Sequence, residues 1–130
     1  MGKLKLFEEH KEKLYVVFRV LVGLLFFMHG WSKFTGDQLP AGLFLVAGIV
    51  ELAVGAGLFL GMFTRLAAVG GAIQMLVAFF KVHVAGSGTL NPLSNGGELA
   101  LLFFLAFLVV MVLGNGKLSL ERKLLGKEMF

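Results

Sequence analysis

The stretch Phe26-Phe27-Met28-His29-Gly30-Trp31-Ser32-Lys33-Phe34 ends a long apolar run that begins near Leu14. It brings His29, Trp31 and Lys33 together at the point where that run would leave a membrane. Tryptophan is favoured at the membrane–water boundary because its ring is amphipathic, and a lysine there can extend its ammonium outward. His29 and Lys33 also share a helix face, since residues i and i+4 are neighbours on a helix. The stretch therefore predicts the end of a membrane-spanning helix with a polar face.

The composition of the whole chain is that of a membrane protein. Of its 130 residues, 58% are hydrophobic and 15% are charged, which is too apolar for a soluble domain of this length. The sequence contains no cysteine, which excludes disulfides, thiol relays and cysteine-ligated metal or iron–sulfur sites. The basic residues behind the net charge of +4 flank apolar runs, so nucleic acid is not an expected partner. No metal site is expected either, because Asp, Glu and His do not recur at ligand spacing.

Four apolar segments are each about long enough to cross a bilayer of roughly 30 Å at about 1.5 Å per residue. They lie near residues 13–34, 40–61, 64–84 and 97–114. Backbone groups in lipid need internal partners, so these segments should be helices. We predict a single all-α domain over residues 1–130, an integral membrane antiparallel four-helix bundle. A charged lead should precede it along the membrane surface, and an amphipathic tail should follow at residues 117–130.

Basic residues are divided unequally between the two ends of these segments. If both termini lie on one side, that side carries nine Lys and Arg residues and the other side carries two. Lysine and arginine accumulate on the cytoplasmic side of membrane proteins. We therefore predict a multi-pass protein of the cell membrane with both termini in the cytoplasm. The cytoplasmic set is Lys3, Lys5, Lys11, Lys13, Arg65, Lys117, Arg122, Lys123 and Lys127, and the outer set is Lys33 and Lys81.

Polar residues inside the apolar segments are costly in lipid and should face other helices. Arg19 and Glu51 are predicted to form a buried pair, because their depths differ by roughly one helical turn. The stripe of Glu51 with its neighbouring glycines at 48 and 55 should face another helix. Gln74 and His83 are further polar residues of the third segment, although a regular helix would point His83 away from the face that carries Gln74.

Five polar residues are predicted to meet at the outer mouth of the bundle: His29, Lys33, Lys81, Asn95 and Glu98. Cationic donors outnumber acceptors in this set, which favours a ligand with a carbonyl or anionic head group. Simpler alternatives exist for single members. The lysines would then only extend to the membrane surface, and Glu98 would form a capping box with Asn95 at a helix start.

Several short motifs lie between about residues 14 and 121. Their order and spacing resemble those of the DoxX family of small four-span membrane proteins. The closing motif often ends in Asp in that family, where this chain has Glu121. The motifs are Arg19-x3-Gly23, His29-Gly30-x2-Lys33, Glu51-x3-Gly55, Gly61-x3-Arg65-x-Ala67, His83, Asn95-Gly96-x-Glu98 and Gly114-x-Gly116-x2-Ser119-Leu120-Glu121.

The resemblance implies an integral membrane subunit associated with an oxidoreductase, as in a relative that forms part of a thiosulfate:quinone oxidoreductase. Without cysteine, the chain can work with electrons only by holding a diffusible carrier such as a quinone, or by docking a redox partner protein. We expect at most a quinone-interacting, non-catalytic subunit, with His29 and Lys33 as donors. A structural or assembly subunit and a small solute- or lipid-binding, transporter-like protein are the alternatives. A homo-oligomer stays open, and haem between His29 and His83 is a weaker option.

Overall fold

The computed structural model describes residues 2–116 and 119–127, and this part of the chain contains helices and no strand. The helices follow the apolar runs of the sequence, and glycine ends several of them. Gly61, for example, ends the second helix in the left-handed conformation with φ 74°. The helices are α1 (Gly2–Ser32), α2 (Leu43–Leu60), α3 (Thr64–Ser87), α4 (Pro92–Asn95), α5 (Glu98–Leu113) and α6 (Leu120–Leu125).

Three of these helices are long and apolar enough to cross a membrane: Leu4–Ser32 of α1, α2 and α3. The apolar helix α5 has 16 residues and is shorter. The charged lead is continuous with the first span, because α1 runs unbroken over 31 residues, or about 46 Å. Of the predicted tail at residues 117–130, the structure describes residues 119–127, and six of these form α6. Residues 117–118 and 128–130 lie outside the described residues.

Helices α1 and α2 approach each other closely through glycines. A Cβ at Gly23 would lie 2.5 Å from the backbone nitrogen of Phe59 and 2.8 Å from the carbonyl oxygen of Gly55. A Cβ at Gly30 would lie 2.9 Å from the carbonyl oxygen of Gly48. Side chains would not fit at these crossings, so small residues let the backbones meet. The predicted stripe of Gly48, Glu51 and Gly55 therefore faces another helix, which is α1.

An aromatic cluster joins α1 to α5. The ring of Phe26 lies 4.8 Å from that of Phe107 and 5.2 Å from that of Phe103, measured between centroids, and all three side chains are buried. The Phe107 ring also covers Gly71 of α3, where an added Cβ would lie 2.7 Å from its atoms. Edge-on aromatic packing of this kind stabilises a core without polar groups. The cluster thus fixes α5 against α1 and α3, and two of its rings, Phe26 and Phe103, line the cavity described next.

Candidate functional site

A cavity of about 680 Å³ lies among α1, α2, α3 and the start of α5, at the end of the helices where α1 ends and α2 begins. We call this the cavity end. Its walls are mostly apolar, with six polar side chains among them. The volume is within the roughly 300–1,000 Å³ typical of small-molecule sites. The polar residues that line it are His29, Lys33, Glu51, Gln74, Lys81 and His83.

The best-connected polar residue of the cavity is Glu51 of α2, which is buried. The Nζ atom of Lys33 lies 2.7 Å from its Oε2, and the Nε2 atom of Gln74 donates to its Oε1 at 2.9 Å. Gln74 also donates to the carbonyl oxygen of Ala47 at 3.4 Å. One carboxylate therefore ties α1, α2 and α3 together inside the apolar helices.

The prediction that Arg19 and Glu51 pair is wrong, although both side chains are buried. The carboxylate is occupied by Lys33 and Gln74, and Arg19 donates to the backbone carbonyl of Asn115. Side chains lean towards the N-terminus of their helix. Arg19 therefore leans away from the cavity end, whereas Lys33 leans back from the end of α1 towards Glu51.

A π-helical segment, Ala78–Val84, brings Lys81 and His83 to the same cavity. A π-helix bonds residue i to i+5 and so fits more residues into each turn than an α-helix does. The faces of α3 shift as a result, and His83 no longer points away from the face that carries Gln74. The expectation that rested on a regular helix was wrong for this reason. The Nδ1 atom of His83 lies 3.3 Å from the carbonyl oxygen of Asn95.

The structure brings together three of the five residues predicted at the mouth, His29, Lys33 and Lys81, which all line the cavity. Glu98 and Asn95 are not among its lining residues. The Oδ1 atom of Asn95 accepts from the backbone N–H of Gly97 at 2.7 Å, and its Nδ2 donates to the carbonyl oxygen of Thr89 at 3.1 Å. Glu98 is the exposed first residue of α5. The alternative, a capping box between Asn95 and Glu98, does not form, because the N-cap of α5 is Gly97.

The polar groups of the cavity differ in how far the protein satisfies them. Lys33 is paired with Glu51 and its side chain is only 26% exposed, which argues against the alternative that it only extends to the membrane surface. Lys81 is exposed and has no acidic partner in the described part of the chain. The Oε1 atom of Gln74 is buried without a hydrogen-bond partner among residues 2–116 and 119–127. The ring of His29 packs edge-on against Phe103 with 5.6 Å between centroids. The cavity therefore offers a cation, an imidazole and a free carbonyl oxygen to a ligand.

A second polar cluster lies at the opposite end, where α2 ends and α3 begins, and Asn115 is at its centre. The carbonyl oxygen of Asn115 accepts from Arg19, and its Oδ1 accepts from the hydroxyl of Thr64. Its Nδ2 donates to Oε2 of Glu121 at 2.7 Å. The four side chains are 2% exposed or less. We call these four residues the Asn115 cluster.

The Asn115 cluster joins the chain after α5 to the turn between α2 and α3. The backbone N–H of Glu121 donates to the carbonyl oxygen of Gly61 at 3.1 Å, and Tyr15 of α1 donates to the carbonyl oxygen of Gly114. Sequence reasoning recognised Gly114 to Glu121 as a motif but assigned it no structural role. The available signal was an asparagine between two glycines directly after an apolar helix, followed by a carboxylate.

Within the described residues, no three His, Asp or Glu side chains are grouped closely enough to hold a metal ion. The two histidines of the cavity are on α1 and in the π-helical part of α3. Each has a neighbour that holds its ring, Phe103 for His29 and the Asn95 carbonyl for His83. Both rings therefore contact other parts of the protein at the cavity wall.

Comparison with known proteins identifies relatives over most of the chain. Residues 14–84 match the model of the DoxX family. An uncharacterized protein of Haemophilus influenzae is 38% identical over an alignment of 130 positions, which covers 92% of this chain and 97% of that protein. A Bacillus subtilis protein with the name "Putative oxidoreductase CatD" is 28% identical over 116 residues, covering 82% of this chain and 83% of the relative. No solved structure matches the chain.

Proposed function

The chain belongs to the DoxX family of membrane proteins, and on this premise we propose that it binds a quinone or a similar redox-active lipid as a subunit or partner of a membrane redox system. The observation that carries the proposal is the cavity itself. It combines an apolar wall with a small set of polar groups that the protein leaves partly unsatisfied. This is the composition of a site for a ligand with a polar head and an apolar body.

The proposed membrane arrangement is an antiparallel four-helix bundle with both termini in the cytoplasm. Helix α5 is then the fourth span, and its 16 residues would cover about 24 Å, slightly less than a bilayer core of roughly 30 Å. Its packing on α3 through Phe107 and Gly71 supports this arrangement. The excess of Lys and Arg on the terminal side supports the orientation. The cavity end would then face outward.

The chemistry of the head group follows from the donors in the cavity. The ammonium of Lys81 has no acidic partner among the described residues, and the imidazoles of His29 and His83 face the same space. A quinone presents two carbonyl oxygens, which accept hydrogen bonds and are favoured beside a cation. The buried ion pair of Lys33 and Glu51 keeps the inner part of the site polar without adding net charge. The same donors would accept an anionic head group.

The chain's part in a redox system would be to hold and position the carrier. It has no cysteine to act as a dithiol, so electrons would have to pass through a bound carrier or a partner protein. When bound, a quinone supplies the electron- and proton-carrying chemistry. The name of the Bacillus subtilis relative is consistent with an association of this kind. A fold alone does not carry an activity, so the proposal rests on the cavity.

The test is a binding titration on the full chain in lipid nanodiscs, with a decyl-substituted benzoquinone as the probe. We expect Lys81→Gln to weaken binding about tenfold, because it removes a charged hydrogen-bond donor from the site. The fold should be unaffected, since Lys81 is exposed. Lys13→Gln is the matched control, because it removes the same charge from an exposed position of α1 outside the cavity.

Two further outcomes separate the alternatives. If the wild type binds no quinone, and organic extracts of the purified protein contain none, the structural or assembly role replaces this proposal. If the wild type binds quinone and ordinary phospholipids equally well, and Lys81→Gln changes neither, a general lipid-binding role replaces it. Glu98→Gln serves as a second control, because Glu98 lies at the same end of the helices but does not line the cavity.

A further inference from the structure

The cavity has an opening on its side, between α2 and α3. Val46 of α2 and Ile73 and Val77 of α3 line the cavity, yet half or more of each side chain is exposed. A residue can do both only at the rim of an opening. These three residues are apolar, whereas the exposed Lys81 lines the cavity nearer the cavity end. This lateral part of the opening therefore faces a region that an aqueous ligand would not favour.

The position of this rim along α3 places it at membrane depth. Ile73 and Val77 are nine and thirteen residues after Thr64, or about 14 and 20 Å along a helix of about 36 Å. The hydrocarbon core of a bilayer is roughly 30 Å thick, and α3 is one of the helices long and apolar enough to cross it. The opening is therefore at the level of lipid tails.

Polarity in the cavity changes in one direction along α3. Gly70 and Ile73, which have no polar side chain, precede Gln74, and Lys81 and His83 follow it by about two turns. The polar groups from α1 are at the same end as those two. An amphipathic molecule would therefore lie with its head at the cavity end and its apolar part beside Gly70.

We infer that the ligand carries a hydrocarbon tail and enters from the bilayer through the opening between α2 and α3, leaving its tail beside Gly70 and Ile73. The inference rests on the proposed function, and it adds the route of entry and the position of the tail. A water-soluble ring without a tail would fill only the polar part of the cavity. The tail would remain in contact with membrane lipid through the rim.

Gly70 offers a direct test, because its missing side chain leaves room in the cavity. A Cβ added there would meet only Val54, at 3.8 Å, which is an ordinary van der Waals distance. A leucine at this position can therefore fit into the helix and occupy the space assigned to the tail. Gly86→Leu is the matched control, because a Cβ at Gly86 has no atom within 4 Å and the residue does not line the cavity.

The experiment measures the affinity of the nanodisc-embedded protein for two probes, a decyl-substituted benzoquinone and the same ring without the chain. Each methylene that is displaced from an apolar site changes affinity by roughly fourfold. We expect Gly70→Leu to weaken binding of the decyl compound about tenfold or more and to leave the tail-less ring within about twofold. Gly86→Leu should change neither affinity.

The outcomes distinguish this inference from the proposed function. If the wild type binds both probes equally and Gly70→Leu affects neither, the lateral route is refuted while quinone binding stands. If neither probe binds the wild type, the proposed function fails and the inference fails with it. Should Gly70→Leu not fold, Ile73→Trp at the exposed rim replaces it, with the equally exposed Leu102→Trp of α5 as its control. If Ile73→Trp loses binding of the decyl compound and Leu102→Trp retains it, the inference is supported. If both variants bind the decyl compound equally, the inference is refuted.

Discussion

Replacing Lys33 should lower the free energy of unfolding by far more than is expected for a lysine at the end of a helix. The side chain of Glu51 is 6% exposed and that of Lys33 is 26% exposed, with 2.7 Å between Nζ and Oε2. In Lys33→Met the carboxylate stays in an apolar interior with Gln74 as its remaining described partner. Removing one member of a buried ion pair costs about 3–5 kcal/mol, because the other charge is left uncompensated.

Removing the carboxylate should cost less, and this asymmetry is the informative part of the prediction. In Glu51→Gln the ammonium of Lys33 can turn outward along its flexible stem, since a quarter of that side chain is already exposed. The loss is then that of a hydrogen bond to a charged group, about 1.5–3 kcal/mol. The double variant should be no less stable than Lys33→Met alone, because no uncompensated buried charge remains.

Equilibrium unfolding in mixed micelles, followed by helical circular dichroism, measures these free energies. Lys13→Met is the control, because it makes the same replacement at an exposed position of α1 and should change stability by less than about 0.5 kcal/mol. Equal losses in the two single variants that simply add in the double variant would show that the two groups do not interact. A Lys33→Met variant as stable as the control would refute the pairing outright.

Three further results are expected. Gly55→Val should lower the free energy of unfolding by about 3 kcal/mol or more, because the added Cβ would meet the α1 backbone. Its control, Gly86→Val, places the side chain in open space and should cost no more than about 1 kcal/mol. Asn115→Leu should lower the free energy of unfolding by about 3–5 kcal/mol, because it leaves the buried polar partners of Asn115 unsatisfied. An unchanged stability would contradict the structural role of the Asn115 cluster. Reporter fusions within residues 33–38 and 87–94 should report the outer side of the membrane, and a cytoplasmic signal at either site would contradict the proposed orientation.

The extent of the helices was predictable from the apolar runs. In lipid, the backbone groups of such a run must bond to one another, and a helix is the structure that allows this. The second segment was predicted at residues 40–61 and is found at Leu43–Leu60. The partner of Arg19 was not predictable, because it is a backbone carbonyl 96 residues away, and no side chain in the sequence marks it. The sequence places Arg19 and Glu51 in the membrane to within about one helical turn. It does not give the direction in which each side chain extends, and that direction determines the partner.

The residues of the cavity were predictable only in part, because the sequence gives the face of a residue on a regular helix and α3 is not regular. Lys81 and His83 line one cavity because Ala78–Val84 is π-helical. Nothing in the sequence marks such a segment, since a π-helix depends on how neighbouring helices accommodate an extra residue per turn. Irregular segments of this type are frequent at functional sites. The departure from regular geometry therefore coincides with the part of α3 that carries two polar side chains on the cavity wall.

The two polar clusters of this chain differ in their position relative to the cavity. In the Asn115 cluster, the amide and carbonyl groups of Asn115 are bonded to Thr64, Glu121 and Arg19, all of them buried, and no lining residue of the large cavity belongs to it. Hydrogen bonds among buried groups of this kind hold helices and connections in place. At the cavity end, the Oε1 atom of Gln74 lacks a partner in the described part of the chain and adjoins about 680 Å³ of space. An unsatisfied carbonyl oxygen inside a membrane protein is costly, and under the proposed function a ligand hydroxyl, such as that of the reduced quinol, would donate to it.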